Sequence, residues 1–248
     1  MVGMIFAAGM GTRLKPLTDT MPKALVPLAG KPLLEWQVEK LREAGITNII
    51  VNVHHFPDQI IDTIRANNAW GCNITISDER DELLDTGGGL RKAVSGERIA
   101  VSGEPILACN VDILSNIDIH ALIAEYERTG VSQLVVSERE TQRYLCFDER
   151  DYLCGWTNSK TGELKGSDGR HLAFSGMQIL SPEVLERLKE VHESKFSLIS
   201  FYLEAMKRMP LKAYIPRDYT MMDVGKIEQI DSAEHFASML FNIKSKKK

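Results

Sequence analysis

Two cations stand at a fixed spacing where an apolar run breaks into glycine. After Met4–Ala8 come Gly9, Gly11 and Thr12, then Arg13, and ten residues further on Lys23 follows Pro22. Small residues let backbone N–H groups approach an anion closely. A guanidinium adds a planar fork matched to phosphate oxygens, and an ammonium adds a compact point charge. Two cations plus backbone amides suit a polyphosphate better than a single carboxylate. Further along, the apolar run Pro105–Val111 ends at Asn110 and Asp112. A carboxylate there would face the same crevice as the first loop, because open α/β sheets bind ligands at the carboxyl ends of their strands.

Other phosphate loops fit less well. A Walker A loop needs G-x-x-x-x-G-K-[ST], and that spacing is missing. A dinucleotide fingerprint needs glycine or alanine three residues after Gly11, where Leu14 stands. The loop also continues for some twenty polar or proline-rich residues before any helical pattern. His54 and His55 offer metal-ligand chemistry, but neighbouring strand residues point to opposite faces, so one ion could not easily take both.

The elements that must hold these residues alternate. Val2–Ala8 reads as a buried strand, Leu33, Leu34, Val38 and Leu41 recur at helical spacing, and "NIIVNV" is the next strand. Ile60, Ile61 and Ile64 mark a helix, "CNITIS" a strand, and Gly87–Gly89 open a further helix before the strand "PILACNV". Continuous apolar strands alternating with helices predict a mostly parallel, doubly wound α/β sheet buried on both faces. Beyond about residue 130, "SQLVVSER", "RYLCFDER" and "YLCGWTN" predict an antiparallel meander. It is followed by "HLAFSGMQIL", helices near 181–192 and 197–208, a strand near 213–215 and a helix from about Lys226. The division expected is one domain: a nucleotide-binding core over 1–130 and about 211–240, with a sugar-binding part over about 131–210. The charged run Asp78–Glu82 reads as a solvated loop, and the terminal "KSKKK" as a solvated tail.

The stretch "AAGMGTRLKPLTDTMPKALVPLAGKPLLE" resembles the N-terminal motif of the sugar-1-phosphate nucleotidyltransferases, G-x-G-T-R-L-x-P-L-T followed by P-K-x-L. The resemblance extends through "LLDTGGGLRKA", "NVD", "FSGM" and "DVGK", and so covers about residues 4–235. It implies that a nucleoside triphosphate and a sugar 1-phosphate give a nucleotide-sugar and pyrophosphate. By that resemblance Arg13 and Lys23 are catalytic, and Ala7, Ala8, Gly9, Gly11, Thr12, Thr86, Gly87, Gly88 and Asn110 bind the nucleotide. Asn158, Ser175, Gly176 and Lys195 lie on the sugar side, and Asp112 with Asp223 in "MMDVGK" would hold a metal. Two aspartates with phosphate oxygens suit Mg²⁺. The sequence departs from the family at Val111, where glycine is usual, and at Asn158, where several relatives carry Glu. The T-G-G-G segment and short C-terminus are similar to enzymes using UTP with an N-acetylated amino-sugar 1-phosphate such as N-acetylmuramate 1-phosphate. GTP with mannose or heptose 1-phosphate, and a catalytically silent nucleotide-sugar sensor, are the alternatives.

Bulk properties are those of an ordinary globular protein. The 248 residues are 44% hydrophobic and 26% charged, enough chain for a full core. A formal net charge of -4 argues against a nucleic-acid surface but leaves room for a local cationic site. Cys72, Cys109, Cys146 and Cys154 are scattered and read as free thiols of a reducing compartment. No run reaches the ~18–20 apolar residues of a membrane span, and no signal peptide precedes the first strand, which predicts a cytoplasmic protein. A monomer or a homodimer is expected.

Overall fold

A computed structural model describes residues 1–96 and 103–240, so the terminal "KSKKK" lies outside the described residues. The chain begins with β1 (Val2–Phe6), every residue of which is buried. The stretch expected as a plain loop is instead built of short 3₁₀ turns at Thr12–Leu14, Leu17–Asp19 and Lys23–Leu25. A two-residue hairpin follows, β2 (Pro27–Leu28) against β3 (Lys31–Pro32). Pro16 and Pro22 precede two of these turns, where a fixed φ favours entry and no N–H is needed. Then come α1 (Leu33–Glu43), β4 (Asn48–Val53), α2 (Pro57–Ala66), β5 (Asn73–Asp78), α3 (Asp85–Ser95), β6 (Ile106–Asn110) and β7 (Ile113–Ser115). The remainder is α4 (Ile119–Thr129), β8 (Ser132–Ser137), β9 (Arg143–Phe147), β10 (Leu153–Asn158), β11 (Glu163–Gly166), β12 (Arg170–Leu180), α5 (Pro182–Lys189), α6 (Leu198–Ala205), β13 (Leu211–Tyr214), β14 (Met221–Asp223) and α7 (Ile230–Leu240).

The architecture is α/β. Contacts divide the chain into two compact units, one of Val2–Leu83, Cys109–Ile117 and the chain from Thr220 onward, the other of Met1, Leu84–Ala108 and Asp118–Tyr219. In the first unit β4 pairs in parallel with both β1 and β5, in the strand order β1-β4-β5. Met4, Ile5, Val51 and Val53 are fully enclosed, each side chain removing roughly 1.5–3 kcal/mol worth of apolar surface from water. β5 departs from the expected two-face burial: Ile74, Thr75 and Ile76 are only half-buried, because β5 ends the order. A separate two-stranded ladder pairs β14 with β7, Asp223 opposite Ile113.

The second unit carries the antiparallel strands. The order is β11-β10-β9-β12, and β8 pairs antiparallel with β12 and parallel with β13. Ser181 and Ser197 cap α5 and α6 through their side chains, as their position ahead of apolar helical runs predicts. No helix among the described residues is long and apolar enough to cross a membrane.

Candidate active site

The first unit gathers the predicted charges. Gly11 turns the chain with φ +63°, a conformation that an L-residue with a side chain rarely adopts. Its carbonyl accepts from Leu14 N–H at 2.8 Å and from the buried Thr18 hydroxyl at 2.8 Å. The Thr18 carbonyl in turn meets His55 Nε2 at 3.0 Å, while His54 Nδ1 lies 2.7 Å from the carbonyl of Glu79. Each imidazole therefore has its own backbone partner and holds a loop in place. Gly9 and Thr12 are exposed on this turn, and a Cβ on Gly9 would meet nothing within 4 Å, so backbone there is open to a ligand.

Arg13 and Lys23 leave the loop toward the two aspartates. Lys23 Nζ donates directly to Asp112 Oδ2, and both side chains are largely enclosed, at 10% and 16% exposure. Arg13 Nη2 stands 4.0 Å from Asp223 Oδ2, and this pair is open to solvent. The segments carrying the two aspartates are neighbours by backbone construction, since Val224 N–H donates to the Asp112 carbonyl at 2.8 Å, one residue past the β14–β7 ladder. Gly225 completes the packing. A Cβ there would sit 2.5 Å from Asp223 Oδ1 and 2.8 Å from Arg13 Nη2. Val111, in place of the usual glycine, is buried, and its N–H donates to the Phe6 carbonyl at 3.2 Å.

Helix α1 fixes this ladder from behind. Gln37 Nε2 donates to the Ile113 carbonyl at 2.7 Å, and Lys40 Nζ reaches the Ser115 carbonyl at 2.8 Å and its hydroxyl at 2.7 Å. Burial lowers the Lys40 ammonium to about 8, partly opposed by the neighbouring Cys109 thiol. Burial pushes that thiol up to about 12. Gln37 and Lys40 did not figure in the sequence reading, because polar residues on a helix normally read as solvated.

At the mouth of β1 the arrangement corrects one detail. Ala7 N–H is already donated to Asn52 Oδ1 at 2.7 Å, so it is not available to a ligand. The charged run is corrected too. Asp81 and Glu82 are exposed, but Glu79 is 1% exposed and accepts from Asn52 Nδ2 at 2.7 Å.

In the second unit, Gly87 and Gly88 lie in the first turns of α3, and their N–H groups both donate to the Phe196 carbonyl, at 2.9 and 3.2 Å. A Cβ on Gly87 would strike the Phe196 ring at 2.4 Å, and one on Gly88 the Ser194 carbonyl at 2.2 Å. At these two glycines the chain packs closely on chain, and their N–H groups are already taken. The Thr86 hydroxyl accepts from Leu198 N–H at 3.0 Å, so the T-G-G-G segment and the segment carrying the exposed Lys195 are tied together. Asn158 ends β10, and its side chain accepts from Lys160 N–H at 3.0 Å in the turn to β11. Ser175 and Gly176 occupy an interruption of the β12–β8 register, Gly176 at φ +71°. The Ser175 hydroxyl is fully buried with no partner among the described residues. A cavity of about 890 Å³ near α5 and α6, lined by Arg187, Phe196, Phe201 and Arg208 among others, includes none of the predicted site residues. All four cysteines are free thiols, although Cys146, Asp168 and His171 bring their donor atoms within 4.8 Å of one another.

A glycine-rich turn, two cations and two carboxylates on an α/β sheet define a nucleotidyl-transferring enzyme, and the chain belongs to the nucleotidyl transferase family, whose sequence profile matches residues 2–146. It is 34% identical to the N-acetylmuramate alpha-1-phosphate uridylyltransferase of Neisseria meningitidis serogroup B, over 96% of this chain and 98% of that one. It is 31% identical to the mannose-1-phosphate guanyltransferase of Debaryomyces hansenii over 76% of this chain, but that match spans only 52% of the longer relative. Among solved structures, HddC from Yersinia pseudotuberculosis complexed with GMP-PN superposes with a TM-score of 0.73 at 26% identity, covering 95% of this chain and 99% of that one. The chain is a sugar-1-phosphate nucleotidyltransferase in class.

Proposed function

We propose that the enzyme transfers a uridylyl group from UTP to an N-acetylated amino-sugar 1-phosphate such as N-acetylmuramate 1-phosphate, releasing pyrophosphate. The observation that carries the transferase mechanism is the meeting of Arg13 with Asp223 and of Lys23 with Asp112 in one compact unit. The end-to-end likeness to the Neisseria uridylyltransferase supports the choice of base and sugar.

An oxygen of the sugar phosphate attacks the α-phosphorus, and the bond from that phosphorus to the β-phosphate oxygen breaks. The nucleophile is already anionic near neutral pH, so no general base is required. The barrier lies in joining two polyanions and in the charge that develops on the leaving pyrophosphate, which positioning and fixed charge relieve. Arg13, exposed at the rim, takes the β- and γ-phosphates. Lys23 has three donors on its ammonium, so it can keep Asp112 while meeting the α-phosphate and the incoming sugar phosphate. The exposed backbone at Gly9 and Thr12 receives the nucleotide, and Asn110 lies at the end of β6, two residues before Asp112.

Asp112 and Asp223 fit a hard divalent cation: both offer carboxylate oxygen, and both are balanced in this structure by a cation of the chain itself. When bound there, Mg²⁺ would supply neutralising charge to the phosphates. The sugar-side roles of Asn158, Ser175, Gly176 and Lys195, and the T-G-G-G contact at Thr86–Gly88, belong to the same proposal.

GTP with mannose or heptose 1-phosphate is the second reading, favoured by the guanyltransferase relative and by the GMP-PN complex of HddC. A matrix of UTP, GTP, CTP and dTTP against several sugar 1-phosphates, scored by pyrophosphate release with Mg²⁺, tests both. The highest kcat/KM is expected for UTP with N-acetylmuramate 1-phosphate. Preference for GTP would replace the first reading by the second, and nucleotide binding without release would leave a sensor.

A further inference from the structure

We infer that Glu79, acting through Asn52, is a positioning residue for the nucleoside end of the site. This rests on the reading that the backbone just past Ala7, at Ala8 and Gly9, receives the nucleotide. In sequence Glu79 sits in "SDERDE", surrounded by charges that face water. Its neighbours behave as such a run should: Arg80 pairs with Asp78 at 2.7 Å and with Asp58 at 3.1 Å, on the surface. Glu79 does the opposite. Its N–H donates to the Val53 carbonyl at 2.7 Å, its carbonyl meets His54 Nδ1, and its carboxylate is turned inward to Asn52.

Asn52 links that carboxylate to the loop. It lies on β4 opposite Phe6, the last residue of β1, and is 3% exposed. Past Phe6 the chain leaves the β1–β4 pairing, so Ala7 N–H has no strand partner in β4, and Asn52 Oδ1 supplies the acceptor instead. Only one orientation of the amide satisfies both neighbours, with oxygen toward the N–H donor and nitrogen toward the carboxylate. Glu79 thus fixes the amide flip of Asn52, and Asn52 fixes the direction in which the backbone leaves β1 toward Gly9. A buried acceptor or donor stripped of its partner is costly, so this chain holds the turn more firmly than loop sequence alone would.

The charge itself narrows the role. A carboxylate enclosed behind an anion site would repel phosphate, whereas behind the uncharged nucleoside it can serve orientation without that penalty. The polyphosphate end is served by Arg13 and Lys23, on the far side of the Gly11 turn in sequence. Disturbing Glu79 should therefore weaken nucleoside recognition and leave pyrophosphate recognition alone.

The test uses the full chain with whichever substrate pair the wild type turns over. Three variants are compared: Glu79→Leu, which removes the acceptor; Glu79→Gln, which keeps an acceptor of the same size; and Asn52→Ser, which cuts the link while admitting water. The expected result for Glu79→Leu and Asn52→Ser is a rise of about tenfold or more in KM for the nucleoside triphosphate, the loss of roughly one well-made hydrogen bond. KM for the sugar 1-phosphate and the inhibition constant of pyrophosphate should stay within about twofold, and Glu79→Gln should recover most of the nucleotide KM. A purely structural role would raise all three constants together or lower only the amount of folded protein. Equal changes in all constants, an unchanged nucleotide KM, or loss of fold in both disruptive variants would overturn the inference. If only Glu79→Leu fails to fold, Asn52→Ser decides. A wild type that turns over no pair defeats the transferase reading itself, which separates that failure from this one.

Discussion

The ammonium of Lys23 lies on the carboxylate of Asp112, one of the two aspartates proposed to take a divalent cation. The two residues are 89 positions apart, and the contact is largely shielded from solvent. A chain that carries its own counter-cation at the proposed metal site has little reason to bind a free metal tightly.

That contact gives the first prediction. Millimolar Mg²⁺ alone should scarcely move the thermal midpoint, whereas Mg²⁺ with a nucleoside triphosphate, whose phosphates can share the ammonium, should raise it. At about 100 times the dissociation constant the gain is ~2.7 kcal/mol, roughly 5–10 °C for a chain of this size. Asp112→Asn should stay folded and lose ~10²–10³ in kcat. Equal stabilisation by Mg²⁺ with and without nucleotide, measured by scanning fluorimetry, would sink the exchange idea.

Gly225 is constrained by the site rather than by its backbone. An alanine Cβ would press on the Asp223 carboxylate and the Arg13 guanidinium, both ends of side chains that can move aside. Gly225→Ala should therefore unfold within a few degrees of wild type yet lose on the order of 10²-fold in kcat, the usual effect of displacing catalytic groups by about 1 Å. Pyrophosphate release beside a thermal melt checks both halves.

Gly11 is constrained twice. At φ +63° a side chain costs roughly 1–2 kcal/mol, and its Cβ would also stand 2.7 Å from Thr18 Cγ2. The double variant Gly11→Ala/Thr18→Ser removes that methyl while keeping the hydroxyl bond to the Gly11 carbonyl. Urea titration should show the double variant more stable than Gly11→Ala and still less stable than wild type. Full recovery would mean that backbone strain contributes nothing.

The buried amine behind β7 predicts a pH effect. Lys40 loses its proton near pH 8 when folded but near ~10.4 when unfolded. Between those values the unfolded chain holds more protons, so this residue's contribution to stability rises with pH; below about 8 both states are protonated and it is flat. Raised thiol values act in the opposite direction at higher pH, Cys109 among them. The comparison of wild type with Lys40→Met isolates the lysine. Wild type should gain on the variant in urea midpoint as pH rises from about 8 toward 10, and parallel curves would contradict the assigned burial.

Much of the site was legible because its chemistry needs residue types that are rare in that company. Arg13 after Gly-x-Gly-Thr and Lys23 after proline are poor choices for a loop that only turns, and Asp112 is a poor choice beside a buried strand. The strands β1, β4 and β6 were legible from continuous apolar runs, since burial on both faces leaves no alternation to read. Glu79, Gln37 and Lys40 were hidden for the converse reason. Each sits among charged or helical-surface residues, and the partner that turns it inward lies 27 to 76 positions away. The T-G-G-G segment was recognised as a motif, but that its amides are taken by Phe196 depends on a chain segment more than a hundred residues later.

By itself the sequence determined the class of chemistry, because a polyphosphate demands fixed positive charge on backbone that can approach it, and few residue types supply that. It also determined the alternating architecture, since hydrophobic periodicity is a local property of the chain. Only tertiary structure decided which charge meets which: Lys23 with Asp112, Arg13 with Asp223, Glu79 with Asn52. Pairing energy depends on distance and on burial, and both are set by how strands far apart in the chain come to lie side by side.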